Sequence, residues 1–332
     1  MIRLATVILM LCTCHLTAIK CEAQRRSVTM PFVVMEYNCE NLFDCRHDST
    51  KNDYDFLPDG ERHWTFSRYW RKVNDIARVI HQCGNDGKNR HLPDIAALIE
   101  VENDSVMMFL TRGSILGSVR YRYIMTHSRD TRGIDVALLY NSLTFRPINH
   151  PSLRVPLQKG QKPTRDILYV EGYTRTEDTL HIFVVHSPSR SGNQYATEDY
   201  RLAVAKRLSI AMDSVRTLHD NANIIIMGDM NDYAYSKQLK LLHAKNMVDV
   251  SAKAKGRKAK GTYKYGGKWN SLDHILLSPS LLPFVKNCHI CDFEWLLEPD
   301  YQGGYKPYRT YLGTFYHRGI SDHLPLILQM EM

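Results

Sequence analysis

Several apolar runs in this chain end in acids, amides or histidines, the side chains that hold cations and move protons. In residues 223–233, NIIIMGDMNDY, the β-branched run Ile224, Ile225 and Ile226 delivers Gly228, Asp229, Met230 and Asn231 to its end. Such a run suits a strand buried on both faces. Asp229 and Asn231 stand two apart at the exit and can point the same way. They would give a carboxylate to position water and a carboxamide to hold an oxygen. An Asp/Asn-rich turn closing a strand uses the same residues, so this stretch alone leaves both readings open.

The pattern recurs. In 31–44, PFVVMEYNCENLFD, Asn38 and Glu40 share a face and can reach one cation or one phosphate, or close the strand in an Asx turn. The run DIAALIEVE, 94–102, ends in Glu100 and Glu102; an acid after so apolar a run needs a partner, either a hard divalent cation or a salt bridge. In LHIFVVHSPSR, 180–190, His186 leaves the run beside Ser187, Ser189 and Arg190, where a histidine can donate a proton or meet a phosphate. Arg132 precedes the run VALLY and suits either phosphate or an open surface. Asp273 opens a strand after a hairpin at Gly266-Gly267, and Asp322-His323 stand at the entrance of the last apolar run.

These ends need a scaffold of strands and helices. Helical spacing of Trp70, Val73, Ile76, Ala77 and Ile80, stopped by Gly84, predicts a helix over 67–84. Further helices are predicted near 105–116, over 198–219 with Leu202, Ala205, Leu208 and Met212 inward, and near 236–245. Residues 44–63 read as a polar surface loop. The segment SAKAKGRKAKG, 251–261, suits phosphate backbones or a solvated basic loop. Residues 300–318, rich in Tyr and Gly, line a groove or cap a sheet.

With 332 residues, 44% of them apolar, and no Pro/Gly/Ser-rich linker, the chain suits one large domain with a sizeable core. The charged start Met1-Ile2-Arg3, the apolar stretch 4–18 and Ala23 read as a secretory signal over 1–23, leaving a mature domain over 24–332. Secretion or a periplasmic location follows, with a surface lipoprotein at Cys21 as the rival. No later run is long enough to cross a bilayer, so the mature chain is expected to be soluble or peripherally attached. Formal charge is +8, a lean towards anionic partners. Five cysteines remain after the leader: Cys39, Cys45, Cys83, Cys288 and Cys291. Without a second C-x-x-C pair to complete a zinc site, buried or incidental cysteines are expected first and a disulfide next.

The segments YNCENLFD, LIEVEN, VVHSPSR, MGDMND, SLDHILLS and SDHLP, in this order, resemble the endonuclease/exonuclease/phosphatase superfamily over most of the mature chain. The resemblance implies an α+β fold, a four-layer sandwich of two mainly antiparallel sheets packed face to face with helices outside. It implies a metal site at Asn38 and Glu100, with Glu40 and Asp322 as further acids, and hard oxygen ligands favour Mg²⁺, with Mn²⁺ or Ca²⁺ as substitutes. Asp229 would orient the attacking water and Asn231 a phosphate oxygen. His323 would face the scissile phosphate with its ring held by Asp273. His186 resembles the histidine of deoxyribonucleases and sphingomyelinases, and Asp135 is offered as its partner. Arg132 and Arg190 are the expected substrate contacts. The implied protein is a secreted monomeric phosphodiesterase, first a nuclease acting on nucleic acid. A sphingomyelinase-like or inositol-phosphate phosphoesterase is the alternative, and a non-catalytic binding protein of the same fold the further one. Leu272-Asp273-His274 stands where inositol 5-phosphatases carry C-D-R, which counts against that branch.

Overall fold

The computed structural model describes residues 29–84, 91–157, 161–190 and 194–332; the leader expected over 1–23, with Cys21, lies outside them. In chain order the strands are β1 (Pro31–Leu42), β2 (Ile95–Val101), β3 (Tyr121–Met125), β4 (Asp135–Asn141), β5 (Phe145–Asn149), β6 (Ser152–Leu153), β7 (Ile167–Thr174), β8 (Thr179–His186), β9 (Asn223–Asp229) and β10 (Val248–Asp249). They continue with the hairpin β11 (Tyr263–Tyr265) and β12 (Lys268–Asn270), then β13 (Asp273–Leu277), β14 (Val285–Ile290), the small ribbons β15 (Leu297–Pro299), β16 (Tyr305–Pro307), β17 (Tyr311–Leu312) and β18 (Phe315–Tyr316), and β19 (Leu326–Glu331). The helices are α1 (Phe66–Cys83), α2 (Asp104–Met108), α3 (Gln194–Leu218) and α4 (Lys237–Ala244).

One sheet runs β14-β19-β1-β2-β4-β3 and the other β10-β13-β9-β8-β7-β5, with β6 on β7. Pairs β1–β2 and β8–β9 are parallel and the other pairs in both sheets antiparallel. Strand periodicity then divides the second sheet into two faces. Val170, Ile182, Val184, Ile225, Met227, Ile275 and Leu277 turn towards the first sheet and share its core. Their neighbours Tyr169, Phe183, Val185, Ile224, Ile226 and Leu276 turn outward and pack under Val204, Leu208 and Met212 of α3 and Leu239 and Leu242 of α4. On the first sheet lies α1, with Val73, Ile76, Ala77 and Ile80 fully buried. The result is the expected four-layer α+β sandwich.

Details differ from the sequence expectation for local reasons. Trp70 is 50% exposed and Tyr69 is buried instead, because the inner stripe of α1 continues from Val73 by i−4 and not by i−3. The helix expected near 105–116 breaks into α2, a π turn and a 3₁₀ turn. There Thr111 Oγ1 donates back to the Met107 carbonyl at 2.8 Å and Ser114 Oγ to that of Leu110 at 2.5 Å, which disturbs the helical ladder. The loop over 44–63 is not wholly superficial: Phe56 is buried and stacks on Phe43 at 4.2 Å. Cys83 and Cys291 form a disulfide across 208 residues, tying the end of α1 to the residue after β14, while Cys39, Cys45 and Cys288 are free.

The two-residue edge strand β10 is fastened by a buried ion pair. His274 faces outward, opposite to Asp273, and its Nδ1 lies 2.7 Å from Asp249 Oδ2 while Nε2 lies 3.0 Å from the Asp232 carbonyl. Two acceptors call for an imidazolium with both nitrogens donating. Burial opposes the charge, but Asp249 overcomes it and raises the His274 pKa above its ordinary 6.5. Asp249 is itself buried, yet His274 and Ser251 lower its pKa below 3.8. The histidine's share of stability is therefore complete below about pH 6.5 and fades as pH rises through the raised value; the aspartate's share is complete above about pH 4 and fades as pH falls through the lowered one. Replacing His274 with Ala leaves a buried carboxylate without its partner and should cost about 3–5 kcal/mol. Thermal melts of both proteins from pH 4 to pH 9 should show the difference largest between those limits and shrinking towards alkaline pH.

Candidate active site

Three strands of the second sheet end at one level. His186, the last residue of β8, is the register partner of Asp229, the last of β9, and Asp229 is the partner of Asp273, the first of β13. All three continue the alternate set that includes Val184, Met227 and Ile275, so their side chains turn into the space between the sheets at its rim. His323, just before β19 of the first sheet, meets this row from across the gap. Its Nδ1 lies 2.7 Å from Asp273 Oδ2, and that same oxygen accepts the Thr262 hydroxyl. Its Nε2 lies 3.9 Å from Asp229 Oδ2. His186 Nε2 lies 3.9 Å from the same oxygen and 3.7 Å from Glu100 Oε1. Asp229 Oδ2 thus stands between two imidazole nitrogens, each beyond hydrogen-bond length but within reach of a shared intervening oxygen.

The other Asp229 contacts fix its plane. Oδ1 accepts the Asn231 N–H at 2.7 Å, and Oδ2 accepts the side-chain amides of Asn38 at 3.0 Å and Asn231 at 3.1 Å. Asn231 also donates to the Ser187 carbonyl at 3.0 Å, so it bridges the ends of β8 and β9. This placement needs unusual backbone. Glu40, Asn41, Glu100 and Asn231 have φ of 47°, 59°, 63° and 48°, in the left-handed region that costs a non-glycine residue about 1 kcal/mol or more. The β1–β2 register also shifts between Asn38 and Leu42, a bulge that re-aims the polar end of β1. Gly228, at φ 145°, brings β9 so close to β8 that a Cβ would fall 1.9 Å from the Val185 carbonyl oxygen.

Charge is divided unequally between the two histidines. Burial lowers the basicity of His323, but Asp273, Asp229 and Asp322 outweigh it and hold its pKa well above the ordinary value. His186 is pushed well below it by burial and by Arg165 and Arg132. At neutral pH the first is a cation and the second a neutral ring. Asp229 is raised to about 7, by burial first and then by Asp273, with His323 and the Asn231 N–H acting against the rise.

The profile of the Endonuclease/Exonuclease/phosphatase family matches residues 33–332. The chain belongs to that family. A Bacteroides thetaiotaomicron protein of the family is similar in structure, with 16% identity, TM-score 0.61 and coverage of 92% of this chain and 96% of that one. A mannosyl-6-phosphatase from the same organism gives 17%, 0.61, 90% and 98%. Truncated TDP2 from Caenorhabditis elegans gives 15%, 0.56, 91% and 98%. At such identities the likeness is one of fold. No curated protein is a match for the sequence. Membership makes phosphoric ester hydrolysis the class of activity, and family members are generally dependent on a divalent metal.

Part of the donor set fits such a metal. Asn38 and Glu100 bring hard oxygens from neighbouring strands, and Glu100 keeps its carboxylate slightly exposed, with Oε2 accepting the Asn41 N–H at 2.9 Å and lying 3.5 Å from Arg132. These two suit a hard cation. Glu40 points elsewhere: its carboxylate accepts the backbone N–H of Thr310 at 2.6 Å and lies 3.7 Å from Arg309. Asp322 holds the same guanidinium at 2.8 Å. Burial and Asp322 raise Glu40 to about 7, against the pull of Lys72 and Arg309. Asp229, Asp273 and His323 also bring ligand-type atoms within 4.8 Å of one another, but Asp273 Oδ2 is already engaged by Thr262 and His323.

Arg132 reaches the cluster through Asn41 Oδ1 and Glu100. Arg190 instead pairs with Asp232 at 2.8 Å and covers the Tyr233 ring at 4.4 Å. The Asp135 carboxylate is engaged elsewhere, accepting the Thr126 hydroxyl at 2.5 Å and the Ser128 N–H at 3.1 Å. Four further residues at the cluster escaped the sequence reading. Thr262 holds Asp273, Arg309 joins Glu40 to Asp322, and Arg165 donates to the Ser187 carbonyl at 3.0 Å. The fourth, Glu36, lies fully buried beneath the row with neither carboxylate oxygen hydrogen-bonded, and burial, Asp273 and Asp229 raise its pKa. An acid inside the apolar run PFVVMEY was the one available signal.

Proposed function

We propose that this chain is a divalent-metal-dependent phosphodiesterase acting on nucleic acid, and that Asp229 takes a proton from water as the water attacks phosphorus in line. The observation that carries the reading is the placement of Asp229 Oδ2 at 3.9 Å from both His186 Nε2 and His323 Nε2. A carboxylate held near neutrality can accept the proton of an attacking water. His323, kept cationic by Asp273, donates to a phosphoryl oxygen as charge develops there. His186, neutral, offers an N–H to the leaving oxygen, and the Asn231 carboxamide lies beside Asp229 to position the phosphate. A metal held by Asn38 and Glu100 would polarise the phosphoryl oxygen.

The polymer reading is supported by the charge of +8 and by the basic loop of residues 251–261. Two buried alanines, Ala254 and Ala259, anchor this loop, while Lys253, Lys255, Arg257, Lys258 and Lys260 remain exposed. Asp292 accepts the backbone N–H groups of Arg257, Lys258 and Ala259, so the basic side chains stand on a fixed platform. The core shared by both sheets supports one domain over 24–332, and a Cys83–Cys291 disulfide suits an oxidising, secretory route. No helix among the described residues is long and apolar enough to cross a membrane.

The test is a substrate panel of supercoiled DNA, single-stranded DNA, RNA, sphingomyelin, inositol phosphates and sugar phosphates, each with Mg²⁺ and with chelator. Cleavage of nucleic acid that stops with chelator is expected. Turnover confined to the lipid or to the small phosphates would remove the polymer assignment, and turnover indifferent to chelator would remove the metal.

A further inference from the structure

A second group of ligand-type side chains lies on the outer face of the second sheet. Glu171 of β7 and His181 of β8 are register partners, and both belong to the alternate set that turns towards α3. His219 follows the last residue of α3 and folds back over them. One ligand atom from each of Glu171, His181 and His219 lies within 4.8 Å of the others. His219 Nε2 is 3.9 Å from Glu171 Oε1, and the two imidazole rings stand 4.9 Å apart at 41°.

We propose that Glu171, His181 and His219 form a zinc site, separate from the candidate active site, that clamps the end of α3 to strands β7 and β8. Two imidazoles and one carboxylate are a recurrent protein ligand set for Zn²⁺, with water completing the tetrahedron. Ligand distances of about 2.0–2.1 Å would place the donor atoms roughly 3.3 Å apart, a small contraction that the half-exposed His219 can make. His181 is prepared for the task. It is buried, and its Nδ1 lies 2.8 Å from the Tyr169 hydroxyl, a contact that fixes the ring. The five-residue step along β8 to His186 is about 16 Å and changes face, so the two sites do not share a ligand.

The experiment uses the full chain, stripped with chelator and then titrated with Zn²⁺ in excess Mg²⁺, with calorimetry and thermal melting as readouts. One Zn²⁺ per chain and a raised Tm are expected. His219→Ala, which alters an exposed side chain, should weaken zinc binding about 100-fold or more and abolish the rise in Tm while leaving the Mg²⁺-supported turnover as it was. Glu171→Gln should weaken it in the same direction. His186→Ala should leave the zinc-induced rise intact. The proposal falls if the wild type binds no zinc, if His219→Ala binds it as well as the wild type does, or if the effect disappears with His186→Ala instead.

Discussion

His323→Ala should lower turnover by about a hundred- to a thousandfold, with a much smaller change in substrate affinity. The loss is expected because the ring is held as a cation by Asp273 at 2.7 Å and points its other nitrogen at the Asp229 side of the cluster. Asp273→Asn keeps a hydrogen-bonding shape but loses the charge that keeps the ring protonated, so turnover should fall in the same direction. Its alkaline limb should also move to lower pH, because a histidine without its carboxylate loses its proton earlier. Thr262 continues to hold the residue at position 273, which makes misfolding a poor explanation for that shift. The double variant should cost far less than the product of the single losses, since the pair acts as one unit. Steady-state kinetics on the four proteins decide this, and losses that multiply would separate the two residues.

Asp229→Asn should remove a further factor of about 10²–10⁴, the usual contribution of a general base, mainly in turnover. The pH profile supplies a second readout. Asp229 must be ionised to accept a proton, and its pKa is raised to about 7, so wild-type activity should climb as pH rises towards neutrality. A cation bound nearby favours the ionised form and shifts that climb to lower pH as Mg²⁺ is increased. The residual activity of Asp229→Asn should show neither the climb nor its displacement by Mg²⁺. A variant that keeps both would assign the acid limb to a different group, with Glu40, also raised to about 7, the first alternative.

The chemistry-bearing strand ends were legible because a two-residue period is a local property. His186, Asp229 and Asn231 announce themselves beside runs of Ile and Val, and the α+β sandwich follows from the family motifs. What a single sequence does not carry is register between distant strands. The row His186–Asp229–Asp273 depends on β8 pairing with β9 and β9 with β13, and the approach of His323 depends on two sheets meeting face to face. The same gap explains Glu40, which shares a motif and a strand with Asn38 yet turns to a backbone N–H 270 residues away. His274, next to Asp273, looks equally chemical in the sequence. One step along the strand turns it to the other face, where it fastens β10. The disulfide joins Cys83 and Cys291, which stand too far apart in the chain for spacing to suggest the pair.

Water activated by Asp229 should attack phosphorus directly, with no covalent intermediate on the protein. Single-turnover hydrolysis in ¹⁸O-labelled water of a chiral phosphorothioate form of whichever panel substrate is cleaved tests this most directly. One in-line displacement inverts the configuration at phosphorus and places the label on the phosphorus-containing product. Inversion is the predicted result. Retention would require two displacements through a covalent enzyme intermediate, with His186 or His323 as the nucleophile, and would contradict the role of Asp229 as the base that activates water.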